Sequence, residues 1–147
     1  MVDDHPSPSA VDASRAVRAV IGRLRRRIRA AGDTGDISLT QATVLARLLD
    51  RDGLANSDLA AAEGMRHQSM ASQVAALADL GLVERRPDPG DGRRQLIALT
   101  PAGRQRAEAG RQARGEWLAA EFEHRCTEEE RLTVIAAMAV LERLAHA

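Results

Sequence analysis

Leu82-Val83-Glu84-Arg85-Arg86-Pro87-Asp88-Pro89-Gly90-Asp91-Gly92-Arg93-Arg94-Gln95-Leu96-Ile97-Ala98-Leu99-Thr100 is the most informative run in the chain. Leu82 to Glu84 begin a short strand, and Gln95 to Leu99 form a second one with alternating side chains. Between them, Pro87 and Pro89 fix φ, Gly90 and Gly92 permit positive φ, and Asp88 and Asp91 favour local turns. The run therefore predicts a β-hairpin. Arg85 and Arg86 lead into its tip and Arg93 and Arg94 lead out of it, so the tip carries cations suited to a polyanion.

Working backwards, residues 67–80 have a helical pattern with Met70, Val74 and Leu77 inward and Gly81 as the stop. His67, Gln68, Ser69, Ser72 and Gln73 are left on the outer, N-terminal face, where Gln and Ser have the chemistry to reach base edges in a major groove. Arg66 and His67 are poor caps for such a helix. A short helix from Asn56, read as its cap, through Leu59 to Glu63 precedes it, with Gly64 in the turn. Before that, Thr40 is read as the cap of a helix with the stripe Val44, Leu45, Leu48 and Leu49, ending near Asp52-Gly53. Helix, turn, helix and arginine hairpin in this order predict a mostly α fold with a small β-wing: a winged helix-turn-helix.

Working outwards, residues 1–11 are expected as a disordered tail. From Asp12 to Ala31, apolar residues including Val17, Val20, Ile21, Leu24 and Ile28 make a helical stripe with the arginines mostly off that face, and Gly32 to Asp36 read as a loop. Thr100-Pro101 is a strong helix start, cap then proline, and the helix should run to Glu123 or His124. Gly103, Gly110 and Gly115 each cost that helix about 1 kcal/mol relative to alanine, as sites of close backbone approach or as tolerated surface positions. Thr127 and Glu130 form a capping box for the last helix, apolar nearly all round from Leu132 to Ala145. One small domain offers too few partners for such a helix. The N- and C-terminal helices are therefore expected to pair with a second copy, through Val17, Ile21, Leu24, Leu132, Ile135, Met138, Leu141 and Leu144. The expected divisions are 12–36 for the N-terminal dimerisation helix and loop, 37–100 for the winged helix-turn-helix and 101–147 for the C-terminal dimerisation helices.

The charge pattern fits a nucleic-acid partner better than the total does. The 147 residues carry 21 bases and 21 acids, and all the bases are arginine. Residues 1–14 hold three acids and no base, and residues 15–31 hold seven arginines and no acid. Residues 82–114 hold eight arginines against four acids, whereas residues 115–147 hold three against seven. Such segregation creates a local positive field on a neutral molecule. At this length a chain buries roughly 70% of its unfolded surface without metal or disulfide, and the single Cys126 allows no internal bridge. No apolar run is long enough for a membrane span, and the acidic N-terminus is unlike a secretory leader, so a cytoplasmic setting is expected.

Leu39-Thr40-Gln41 with Val44-Leu45, then Leu59-Ala60, then residues 77–93 and finally Leu99-Thr100-Pro101-Ala102-Gly103 together resemble the MarR family of winged-helix transcriptional regulators. The resemblance covers residues 12–147 in helix order and is most specific over 77–103, with Asp91-x-Arg93 followed by Leu99-Thr100 as its strongest signature. It implies a homodimer with its base built from the terminal helices, and a helix at 67–80 that enters the major groove. It also implies an arginine at Arg93 in the minor groove braced by Asp91, and phosphate anchoring by Arg85, Arg86 and Arg94. Two lobes on a two-fold axis imply a pseudo-palindromic double-stranded DNA operator with half-sites roughly 34 Å apart. Members of the family often respond to small, frequently aromatic effectors bound between dimer base and lobe, for which Trp117 is a candidate pocket residue. The implied function is a repressor released by such an effector.

Other classes find less support. The family's peroxide sensors carry a reactive cysteine near the first helix with tyrosine partners, and this chain has neither; Cys126 lies instead beside His124 and Arg125 near a late helix start. His5, His67, His124 and His146 are scattered, without metal-ligand spacing. No phosphate loop or nucleophile elbow is present, so neither an enzyme nor a cofactor is expected. The alternative is a winged helix used as a protein-interaction module without DNA binding, against which the arginine hairpin and the Gln/Ser helix face argue.

Overall fold

The computed structural model describes residues 5–32 and 35–146. Its elements are α1 (Pro8–Ala31), α2 (Leu39–Asp50), α3 (Asn56–Glu63), α4 (His67–Asp79), β1 (Val83–Pro87), β2 (Gln95–Leu99), α5 (Pro101–Arg125) and α6 (Glu128–Ala145). The fold is mostly helical with one two-stranded antiparallel sheet, the winged helix-turn-helix class expected from the hairpin and the helices before it.

Helix α1 begins at Pro8 rather than near Asp12, so residues 8–11 of the expected tail are helical. Ser7 caps it by accepting from the Ala10 N–H at 3.3 Å, with proline in the first turn, the same device as Thr100-Pro101. Residues 1–4, and Asp33 and Thr34 of the expected loop, lie outside the described residues. Helix α2 is capped by Ser38, not Thr40. Ser38 Oγ accepts from the Gln41 N–H at 3.1 Å, and Gln41 Oε1 accepts in return from the Ser38 N–H at 2.8 Å. Helix α3 follows Ala55, not an Asn56 cap. Asp58 Oδ2 accepts from the Ala55 N–H at 3.3 Å, and Asn56 turns inward as the first helical residue.

The core lies in the lobe. Val44, Leu45 and Leu48 from α2, Leu59 from α3, and Met70, Val74 and Leu77 from α4 meet Val83 and Ile97 of the hairpin. Met70, Val74 and Leu77 are fully buried, each contributing roughly 1.5–3 kcal/mol of transfer free energy. Helix α5 starts against this core. Thr100 Oγ1 accepts from the Gly103 N–H at 3.0 Å and donates to the Gly81 carbonyl at 2.6 Å. Gly103 is a site of close approach, because a Cβ there would fall 1.8 Å from the Leu82 carbonyl oxygen. Gly115 faces open space and is tolerated rather than required.

The outer helices contrast with the lobe. Neither α1 nor α6 contains a buried residue. The turn between α5 and α6 is held by Arg131, which donates to the carbonyls of Phe122 and Cys126 at 3.3 and 3.2 Å and pairs with Glu123 and Glu128. Cys126 is the half-buried C-cap of α5. No helix of the described residues is long and apolar enough to cross a membrane.

Candidate nucleic-acid interface

Helix α4 separates its two faces cleanly. The inward residues belong to the core, while His67, Gln68, Ser69 and Ser72 are exposed and Gln73 is half-buried. Arg66 stands at the N-cap without a side-chain hydrogen bond, so the first N–H groups of α4 have no side-chain cap. Two of the five polar residues have local work. The Ser72 hydroxyl donates to the Gln68 carbonyl at 3.2 Å, and Gln73 Oε1 accepts from Ser38 Oγ at 3.4 Å. His67, Gln68 and Ser69 keep their side chains directed outward without a hydrogen-bond partner among the described residues.

The approach to α4 is set from α3. Gly64, at φ 63°, turns the chain in the left-handed region. Asn56 Nδ2 donates to the His67 carbonyl at 3.0 Å, tying the start of α4 to the start of α3. Asn56 is a buried polar residue whose Oδ1 has no hydrogen-bond partner among the described residues. This tie spans eleven positions and has no local signature, which is why Asn56 reads in the sequence as a cap.

The wing is a ladder with Val83 opposite Leu99 and Pro87 opposite Gln95. Leu54 adds a bridge on the far side of β2, exchanging two backbone hydrogen bonds with Ile97 at 3.0 and 2.8 Å. Both tip aspartates fold the turn. Asp88 Oδ1 accepts from the Gly90 N–H at 2.8 Å, and Asp91 Oδ1 accepts from the Arg93 backbone N–H at 3.0 Å. Asp91 thus braces the Arg93 backbone, not its guanidinium as the resemblance implies.

The four wing arginines fall into two pairs. Arg86 donates to the Asp52 carbonyl at 2.9 Å and pairs with Asp52 Oδ1 at 2.7 Å, anchoring the wing to the loop before α3. Arg94 pairs with Asp58 on the first turn of α3. Arg85 and Arg93 are exposed, and neither has an acidic partner among the described residues. Two cations brace the ribbon and two are presented by it.

Beyond the lobe, a cleft of about 400 Å³ opens between α1, α2 and α5. Its walls are apolar, from Ile21, Leu24, Ile28, Leu39 and Ala42, with Arg25, Arg29 and Arg114 among its lining residues. Burial, and then the like charge of Arg111, lower the Arg114 pKa below the usual arginine range. Arg111 itself pairs with Asp50. Trp117 does not line this cleft. It is half-buried further along α5, with the Arg27 guanidinium 5.4 Å from its ring centroid. On the outer helices Ile21, Leu24, Leu132, Ile135, Met138 and Leu144 are exposed, Ile135 at 66% and Leu144 at 71%, while Val17 and Leu141 are half-buried.

A helix presenting polar side chains beside a cation-tipped ribbon on one small lobe defines the winged helix-turn-helix class. Residues 35–94 match the sequence profile of the MarR family. The chain is 38% identical over 97 residues to the uncharacterized HTH-type transcriptional regulator Mb0904 of Mycobacterium bovis, covering 66% of this chain and 68% of that one. It is equally similar, 38% over 96 residues, to ML2140 of Mycobacterium leprae, covering 65% of this chain and 67% of that one. A protein of Pseudomonas aeruginosa PA01 named as a transcriptional regulator superposes with a TM-score of 0.80 at 28% identity, over 97% of this chain and 99% of that one. A MarR family protein from Bacillus stearothermophilus shares the fold, with a TM-score of 0.72 at 20% identity over 97% of this chain and 99% of that one. The chain belongs to the MarR family of transcriptional regulators.

Proposed function

We propose that this chain is a homodimeric, sequence-specific repressor that binds a pseudo-palindromic operator and is released by a small-molecule effector. The observation that carries the reading is the sorting of the wing arginines: Arg86 and Arg94 are consumed in bracing the ribbon, while Arg85 and Arg93, at the edge of the lobe that displays α4, have no acidic partner among the described residues. His67, Gln68 and Ser69 then read base edges, with Ser72 and Gln73 at the margin of the contact, and Arg93 enters the neighbouring minor groove. Arg85 neutralises phosphate. The unburied apolar faces of α1 and α6 supply the dimer base, since exposed patches of this kind mark association surfaces. In this arrangement 12–36 and 101–147 serve dimerisation and 37–100 serves DNA.

The cleft between α1, α2 and α5 is the effector site in this reading. Apolar walls with guanidinium groups among them fit an amphipathic organic anion. By linkage, such a ligand weakens DNA binding only through its preference for the DNA-incompetent arrangement, typically about 1–3 kcal/mol. No catalytic role and no cofactor is proposed.

The test is titration of the purified protein against DNA flanking its own gene over a range of salt. Saturable, sequence-selective binding with a steep negative log–log slope supports the reading, and the slope counts the phosphates neutralised. Weak binding of equal strength to all sequences overturns it in favour of a protein-interaction module.

A further inference from the structure

We propose that Arg29 is a specificity-determining residue that fixes the half-site spacing the dimer accepts, by tying α1 to the helix-turn-helix through Glu63. The proposal rests on the dimeric DNA-binding reading above and adds to it the residue that sets lobe geometry.

Glu63 is the last residue of α3, immediately before Gly64 of the turn into α4. Its side chain is only 9% exposed and is shared by two arginines from different helices. Arg47 of α2 donates through Nε at 2.6 Å and also reaches the Ala62 carbonyl at 3.3 Å, so this half of the cluster lies within the lobe. Arg29, in the last turn of α1, donates to the other carboxylate oxygen at 3.2 Å, so this half crosses from the outer helix to the lobe. A pair around a largely buried carboxylate is screened by salt far less than a surface pair.

Among the described residues, α1 packs chiefly along α5 and touches α2 directly at few points. Helix α1 buries no residue, and the cleft of about 400 Å³ lies between it and α2, where close apolar packing would otherwise hold the two together. The other cross-helix ties of α1 go to α5: Arg27 pairs with Glu121 at 3.2 Å and covers the Trp117 ring. Among the described residues, Arg29–Glu63 is therefore the ion pair that joins α1 directly to the reading unit, and it does so at the residue preceding the turn into α4. With α1 in the dimer base, the pair sets where each lobe stands relative to the two-fold axis.

Spacing is the property such a tie controls. Adding or removing two base pairs between half-sites moves one half-site by about 7 Å and rotates it by roughly 70° about the DNA axis. A lobe held to the base cannot follow that displacement, whereas a lobe released from α1 swings to meet it.

The experiment compares the native protein with Arg29→Met, Arg29→Lys and Glu63→Gln. The probes are a duplex enriched by the native protein from a randomised pool, and two derivatives with two base pairs inserted or removed at its centre. The native protein is expected to lose about 100-fold in affinity on the altered duplexes, toward its non-specific level, and Arg29→Met less than about 10-fold. Arg29→Met leaves Glu63 neutralised by Arg47, so its thermal midpoint and dimerisation should match the native protein. Glu63→Gln keeps the shape and removes the charge, and should show the same relaxed spacing. Arg29→Lys restores the cation and should restore discrimination. Native discrimination in both Arg29→Met and Glu63→Gln overturns the proposal, as does a uniform affinity loss on all three duplexes with a lowered midpoint. If the native protein enriches no duplex, the DNA-binding reading itself falls and takes the proposal with it.

Discussion

The lobe and the outer helices solve the burial problem differently. Between Ile37 and Ala107 the chain encloses Val44, Leu45, Leu48, Leu59, Met70, Val74, Leu77 and Ile97 with little or no solvent contact. The 24 residues of α1 and the 18 of α6 bury none, although both carry apolar faces. The lobe core is enclosed within one copy of the chain. The outer helices acquire a core only when something covers Ile135 and Leu144. In the dimeric reading proposed above, this asymmetry gives a rigid reading head and a base whose packing is shared and therefore adjustable.

The sharpest way to break the comparison is to damage each half in turn. Leu48→Ala removes a buried side chain of the lobe core. It should cost about 2–5 kcal/mol of unfolding free energy, by an amount independent of protein concentration in denaturant titrations. Ile135→Asp places a charge on the exposed face of α6. It should leave the folded lobe intact by circular dichroism and convert the dimer to monomer in sedimentation. An intact Ile135→Asp dimer would show that α6 is not the shared surface.

Within the lobe, the wing separates along the same line between residues that brace and residues that reach. Arg93→Ala should weaken operator binding by about 1–3 kcal/mol, with dimerisation and thermal midpoint unchanged. Unchanged affinity would remove the wing from the interface.

Much of this architecture is legible from local pattern. Met70, Val74 and Leu77 recur at helical spacing and are all fully buried, and Thr100-Pro101 opens α5 as its cap-and-proline pattern requires. Two further signals of the same kind lie in the sequence and carry less apparent weight beside their neighbours. Ser7-Pro8 repeats the Thr100-Pro101 device and starts α1 four residues before Asp12. Ser38-Leu39-Thr40-Gln41 is a complete capping box, which makes Ser38 the cap and Thr40 a helical residue. The interactions on which the proposed readings rest are of another kind. Arg86 finds Asp52 across 34 positions, Arg94 finds Asp58 across 36, and Arg29 finds Glu63 across 34. No short-range pattern distinguishes an arginine that will meet an acid from one that will stay free, because the partner is chosen by the fold. For the same reason a lone tryptophan reads as a pocket residue until α1 is seen to place Arg27 over it.

The smallest effect discriminates best between bracing and reaching. Arg85 and Arg86 are adjacent and indistinguishable by type, yet among the described residues only Arg86 has an acid beside it. Its pair with Asp52 is solvent-exposed, so Arg86→Ala should change stability by no more than about 1 kcal/mol. The DNA readout should differ in kind. Arg85 releases counterions when it meets phosphate, so Arg85→Ala should reduce the log–log salt slope of operator binding by about one per lobe. Arg86 keeps its charge compensated by Asp52, so Arg86→Ala should leave the slope where it was while loosening the wing. Equal slope changes in the two variants would mean that Asp52 gives up Arg86 to the DNA, and that the bracing pair is a resting arrangement of a second phosphate contact. Separate slopes would show that the lobe assigns two neighbouring arginines to different tasks through the placement of one aspartate on the α2–α3 loop.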